Sequence, residues 1–202
     1  MKKVFSLCLA VLLLFGMMPM DTMATETENE SMQEIADAIK KNSKAEIRDA
    51  DGKVLETLNI DVQVQQINTS RSTDGNEYLI TCTASSEASE WPDYDSADGI
   101  SGTLLMVCRD EWGTSNTLIS VTGNWSGEDS DTENRTVTYC YYDVYNIQSP
   151  VVKDNNAPRQ FEYYPVDYKG FTFKATSKAQ IASTDRWLYL EAATDASVLD
   201  QQ

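Results

Sequence analysis

The segment Trp91-Pro-Asp93-Tyr-Asp95-Ser-Ala-Asp98-Gly99 places three carboxylates before a glycine in this 202-residue chain. Asp93, Asp95 and Asp98 are hard oxygen donors spaced two and three apart. Gly99 lets the backbone turn sharply, so the three carboxylates can converge on a cation such as calcium. The spacing carries one residue more than an EF-hand loop, and the twelfth position from Asp93 is Leu104 rather than an acidic closing ligand. The competing reading is a solvated Asp/Ser loop in a very acidic protein. Glu128-Asp-Ser-Asp-Thr-Glu133 is a second acidic cluster without the glycine, and it reads as solvated surface. Calcium at Asp93, Asp95 and Asp98 is the only ion that the sequence nominates, and no pattern calls for a cofactor.

The chain contains no histidine. Ser-His-Asp and Cys-His catalysis, His-ligated zinc and the usual near-neutral general base are thereby removed. Cys82, Cys108 and Cys140 each fall in a segment of period-two alternation, on its more apolar face, and read as small core residues. Export would permit one disulfide, for which Cys108 with Cys140 is the chosen pair, leaving one thiol over. No basic cluster near any cysteine argues for a lowered thiol pKa.

Aromatic residues offer a binding chemistry instead. Trp91, Trp112 and Trp125 fall in expected loops or at strand ends, where a flat ring can meet a ligand. Along Arg135–Tyr145 one face carries Thr136, Thr138, Cys140, Tyr142 and Val144, and the other carries Val137, Tyr139, Tyr141, Asp143 and Tyr145. With the first face inward, the second presents Tyr139, Tyr141 and Tyr145 as a row for stacking on sugar or gripping a protein. With both faces covered, the row is packing.

These residues must be positioned by short strands. Ser31-Met-Gln-Glu34 has capping-box spacing and predicts a short helix from Met32 to about Lys41, with residues 25–30 disordered before it. From Ala45 the hydrophobic period becomes two. Asp51-Gly52 marks a hairpin between Ala45–Arg48 and Lys53–Leu58, because glycine accepts the positive φ of a tight turn. Ile60, Val62 and Val64 alternate with Asp61, Gln63 and Gln65. Further strands are expected at Tyr78–Ser85, Thr103–Arg109, Thr117–Gly123, Arg135–Tyr145, Gln160–Tyr164, Gly170–Ser177 and Trp187–Ala193. The expected fold is all-β, an antiparallel sandwich or partly open barrel of about eight to ten strands preceded by one short helix. Leu104–Val107, apolar on both faces, belongs at its centre.

Lys2 and Lys3, the apolar run Val4–Met20 and the small residue Ala24 have the layout of a secretory signal peptide. Residues 1–24 are therefore expected to be removed, leaving 25–202 as a single β-rich domain outside the cell, in the style of a Gram-positive bacterial exporter. No second apolar run predicts a membrane span in the mature chain. Thirty-two acidic against sixteen basic residues give a formal charge of −16, which disfavours nucleic acid as a partner.

The leading expectation is a secreted, non-enzymatic binding or interaction module for cell-surface carbohydrate or a protein partner. Trp91, Trp112, Trp125, Tyr139, Tyr141 and Tyr145 would supply contact. The alternative is a carboxylate-dependent polysaccharide hydrolase, whose two carboxyl groups sequence spacing does not locate. A third class is a subunit of a secreted assembly.

Overall fold

The computed structural model describes residues 21–68, 75–86, 100–110, 115–126 and 132–194. The chain divides into two units, Met1–Met32 and Gln33–Gln202. Within the first, residues 21–32 are helical. The second holds the rest of that helix and every described strand.

Helix α1 runs Asp21–Asn42, so it starts well before the expected Met32. The expectation of disorder at residues 25–30 is corrected. No glycine or proline interrupts Asp21–Ser31, and the acidic residues there suit the positive end of a helix dipole, as Lys40 and Lys41 in the last turn suit the negative end. Ser31 therefore lies inside the helix rather than at its cap. Ile35, Ala36 and Ile39 form the buried stripe.

Twelve described strands follow: β1 (Lys44–Arg48), β2 (Val54–Thr57), β3 (Ile60–Asn68), β4 (Glu77–Ser86), β5 (Ile100–Asp110), β6 (Asn116–Trp125), β7 (Thr132–Tyr142), β8 (Val152–Asp154), β9 (Gln160–Tyr163), β10 (Lys169–Gly170), β11 (Thr172–Ile181) and β12 (Trp187–Ala193). All described pairings are antiparallel. One sheet has the order β2-β1-β12-β11-β7-β8. The other has β10-β6-β5-β4-β3, with β9 also on β6. This is a sandwich-like all-β fold with one helix among the described residues, as the period-two segments require.

Two short strands, β8 and β10, add to those expected. They are three and two residues long and carry too little alternation to be read from sequence. The β1–β2 hairpin turns at Gly52, whose φ is +84°, and the Asp49 carboxylate accepts the Lys53 amide at 2.8 Å.

Strand β5 is central in its sheet, with Leu104, Met106 and Cys108 facing the opposite sheet. From that sheet Phe173, Ala175, Ala179, Ile181, Leu188 and Leu190 complete the core. Ser43, between α1 and β1, donates to the Ile39 carbonyl at 2.8 Å and accepts the Ala193 amide of β12 at 3.3 Å, tying the helix end to that sheet.

Candidate functional site

Strand β6 contains a bulge between its pairings with Val107 and Cys108, so that Leu118 faces inward before it and Val121 after it. The phase after the bulge sends Trp125 inward and leaves Thr122 and Asn124 on the outer face. Strand β9 pairs beside this segment, with Glu162 opposite Thr122 and Gln160 opposite Asn124. Its Phe161 points into the core, where its ring centre lies 5.1 Å from that of Trp125. Gly123 makes room for this insertion: a Cβ there would overlap the Thr103 carbonyl oxygen and lie 2.6 Å from Phe161 Cζ.

The consequence on the outer face is an open groove of about 430 Å³ lined by Leu105, Thr122, Gly123, Asn124, Gln160, Phe161 and Glu162. A hydroxyl, two carboxamides and one carboxylate converge beside one aliphatic side chain. Together they can donate to and accept from a polyhydroxylated ligand while Leu105 meets its less polar face. Strand β6 is laddered to β5 on one side and to β9 on the other, which places these side chains without a loop. Glu162 is the only carboxylate among the described lining residues, and it accepts a hydrogen bond from the Tyr164 hydroxyl.

Among the described residues, the expected aromatic contacts do not form one exposed surface. Trp125 is 1% exposed and lies in the core. Tyr139 is 9% exposed, its ring centre 6.1 Å from Tyr163 and 5.4 Å from Tyr168. Tyr141 is half-buried with its ring at right angles to Tyr168, 4.9 Å away. An exposed tyrosine row is thus corrected: Val137, Tyr139 and Tyr141 pair with the buried Ser177, Ala175 and Phe173 on the inward side of β7, and Tyr163 and Tyr168 pack against Tyr139.

Tyr145 is 80% exposed but belongs to no strand. Strand β7 stops at Tyr142 because the Asp143 carboxylate accepts the amides of Tyr145 and Ile147 at 2.9 and 2.8 Å, and Asn146 takes a positive φ of 59°. Trp91, Trp112, Asp93, Asp95 and Asp98 lie outside the described residues. Among the described residues no three His, Cys, Asp or Glu side chains gather in a way that could hold a metal ion.

The proposed Cys108–Cys140 disulfide is also corrected. Cys82, Cys108 and Cys140 are free and buried. Cys108 faces the core from β5, whereas Cys140 lies on the side of β7 opposite to Tyr139, where the Gln148 amide donates to its sulfur at 3.4 Å. Burial pushes the Cys82 and Cys108 thiols up to about 12 and raises Cys140 as well, which keeps all three protonated and poorly nucleophilic.

The groove residues were missed because alternation assigns Thr122 with Asn124, and Gln160 with Glu162, to common faces without saying that the two strands pair. No helix among the described residues is long and apolar enough to cross a membrane. Compared with protein-family profiles, curated proteins and solved structures, the chain matches none.

Proposed function

We propose that this chain is an exported, non-enzymatic binding module that holds carbohydrate at a cell surface in the groove between β6 and β9. The observation that carries the reading is the convergence of Thr122, Asn124, Gln160 and Glu162 beside Leu105 on paired strands. Concave sites with a few aimed polar groups are the usual form of small-ligand binding. The basic, apolar leader layout of residues 2–24 supports export. Binding rather than hydrolysis is favoured because glycoside cleavage uses two carboxyl groups across the bond, and the described groove supplies Glu162 alone.

Retention of the mature chain on insoluble peptidoglycan and a panel of neutral polysaccharides tests this, each run with calcium and with chelator. Retention that an Asn124→Ala/Gln160→Ala variant loses is the expected result. No retention on any of them, or equal retention of the variant, overturns the groove reading. Loss on chelation would bring Asp93, Asp95 and Asp98 into the site.

A protein partner is the second reading. It is favoured by Val144, Tyr145, Ile147, Val151, Tyr164 and Val166, which are all exposed in the segments following β7 and β9. Clusters of exposed apolar side chains on a soluble surface commonly mark contact sites.

A further inference from the structure

The outer face of the sheet β2-β1-β12-β11-β7-β8 concentrates positive charge in a chain whose formal charge is −16. Strand registers place Lys44, Arg48, Lys153, Lys174 and Lys178 on it. Its carboxylates are Glu46, Glu191 and, at the far end of β7, Glu133. Glu46 is taken by Arg48 at 2.5 Å and Glu191 by Lys174 at 2.8 Å. Among the described residues, Lys178 and Lys153 have no carboxylate at ion-pair distance. Instead Lys178 Nζ sits 4.0 Å from the centre of the Trp187 ring, and the Arg48 guanidinium 3.8 Å from that of Tyr189.

The cations are arranged as a band. Arg48 on β1, Lys178 on β11 and Lys153 on β8 occupy alternate strands, so successive positions are about 10 Å apart across the sheet. Trp187 and Tyr189 of β12 fill one interval. Thr136 and Thr138 of β7 fill the other, opposite Lys178 and Lys153 respectively, with Thr176 beside Thr138. Desolvation, then the nearby charges of Arg48 and Lys153, hold the Lys178 ammonium below its ordinary pKa, as a cation facing other cations requires.

We propose that this face binds an extended acidic polysaccharide, its repeating carboxylate or sulfate groups meeting Arg48, Lys178 and Lys153 and its hydroxyls meeting Thr136, Thr138 and Thr176. A single small anion would reach one cation of the band. A polymer with regularly spaced negative groups spans all three. The net negative charge does not prevent this, because at physiological salt a surface charge is screened beyond about 8 Å, so the local face decides. This site lies on the other sheet from the β6–β9 groove and does not depend on it.

The test measures binding of the mature chain to polygalacturonate, dextran sulfate and unmodified dextran, at about 0.15 M and about 1 M ionic strength. Binding to both acidic polymers that is lost at the higher salt, with none to dextran through this face, is the expected result. Lys178→Gln/Lys153→Gln should weaken it roughly tenfold, while Asn124→Ala/Gln160→Ala leaves it unchanged. The exposed Lys153→Gln alone, at an edge strand, should weaken it roughly threefold without touching the fold. Unchanged affinity in both lysine variants overturns the proposal, as does salt-insensitive binding or equal retention on double-stranded DNA.

Discussion

Lys174 Nζ lies 2.8 Å from Glu191 Oε2, and that carboxylate is only 4% exposed although it sits on the outer face of its sheet. The Tyr189 hydroxyl donates to the same oxygen at 2.5 Å. Burial alone would lower the Lys174 pKa, but the Glu191 carboxylate outweighs it and the net direction is upward. Removing Lys174 strands a buried charge, so Lys174→Met should cost about 2–4 kcal/mol in urea unfolding. Lys174→Met/Glu191→Leu should recover most of that loss. Equal stability of the wild type and Lys174→Met would show that the pair is screened.

Tyr139 is held in a ring cluster with Tyr163 and Tyr168, and the Tyr168 hydroxyl donates to its carbonyl oxygen at 3.2 Å. Tyr139→Ser should therefore cost about 3 kcal/mol through the lost apolar area and the cavity left behind. A melting temperature unchanged from wild type would return this ring to the surface.

Gly123→Ala forces a methyl group against the Thr103 carbonyl and the Phe161 ring. Backbone on one side and a buried ring on the other leave little room to relax, so a loss of about 1–3 kcal/mol is expected. The same shift should open the β6–β9 pairing and weaken carbohydrate retention. Hydrogen exchange at residues 123 and 125, whose amides face β9, reads the pairing directly, since the Trp125 amide donates to the Arg159 carbonyl at 3.2 Å.

Alkaline pH should destabilise the fold through its core thiols. Cys82 and Cys108 ordinarily titrate at 9.0 and are pushed up to about 12 by burial. Between those values the folded chain keeps protons that the unfolded chain has released. The contribution is complete below about pH 9 and is lost as pH rises toward 12, at about 1.4 kcal/mol per pH unit for each thiol. Urea midpoints measured across this range check the slope, and Cys108→Ala should reduce it. A slope unaffected by that substitution would assign the loss to other groups. Thiol reagents should find Cys82, Cys108 and Cys140 only after unfolding.

Much of the architecture is legible because strand alternation is a local property. The positions of Ile60, Val62, Leu104, Met106 and Cys108 along their segments say that they are strand residues with one apolar side, and Asp51-Gly52 says where a hairpin turns. The absence of histidine likewise removes whole chemistries without any coordinates. The extension of the helix upstream of Met32 was not legible, because the Ser31–Glu34 spacing suits a cap while no glycine or proline in Asp21–Ser31 breaks a helix.

What alternation cannot say is which of two comparably apolar faces turns inward. On β7 that choice is made by Tyr163 and Tyr168, which arrive from later strands and loops and cover Tyr139, so the Cys108–Cys140 pairing and the open tyrosine row fail together. Charge is the second case. Composition averages the chain to strongly acidic, yet pairing of β1 with β12 and of β7 with β11 and β8 gathers Arg48, Lys178 and Lys153 on one face. Long-range strand pairing sets these neighbours, and it depends on packing energies summed over both sheets rather than on any local run of residues.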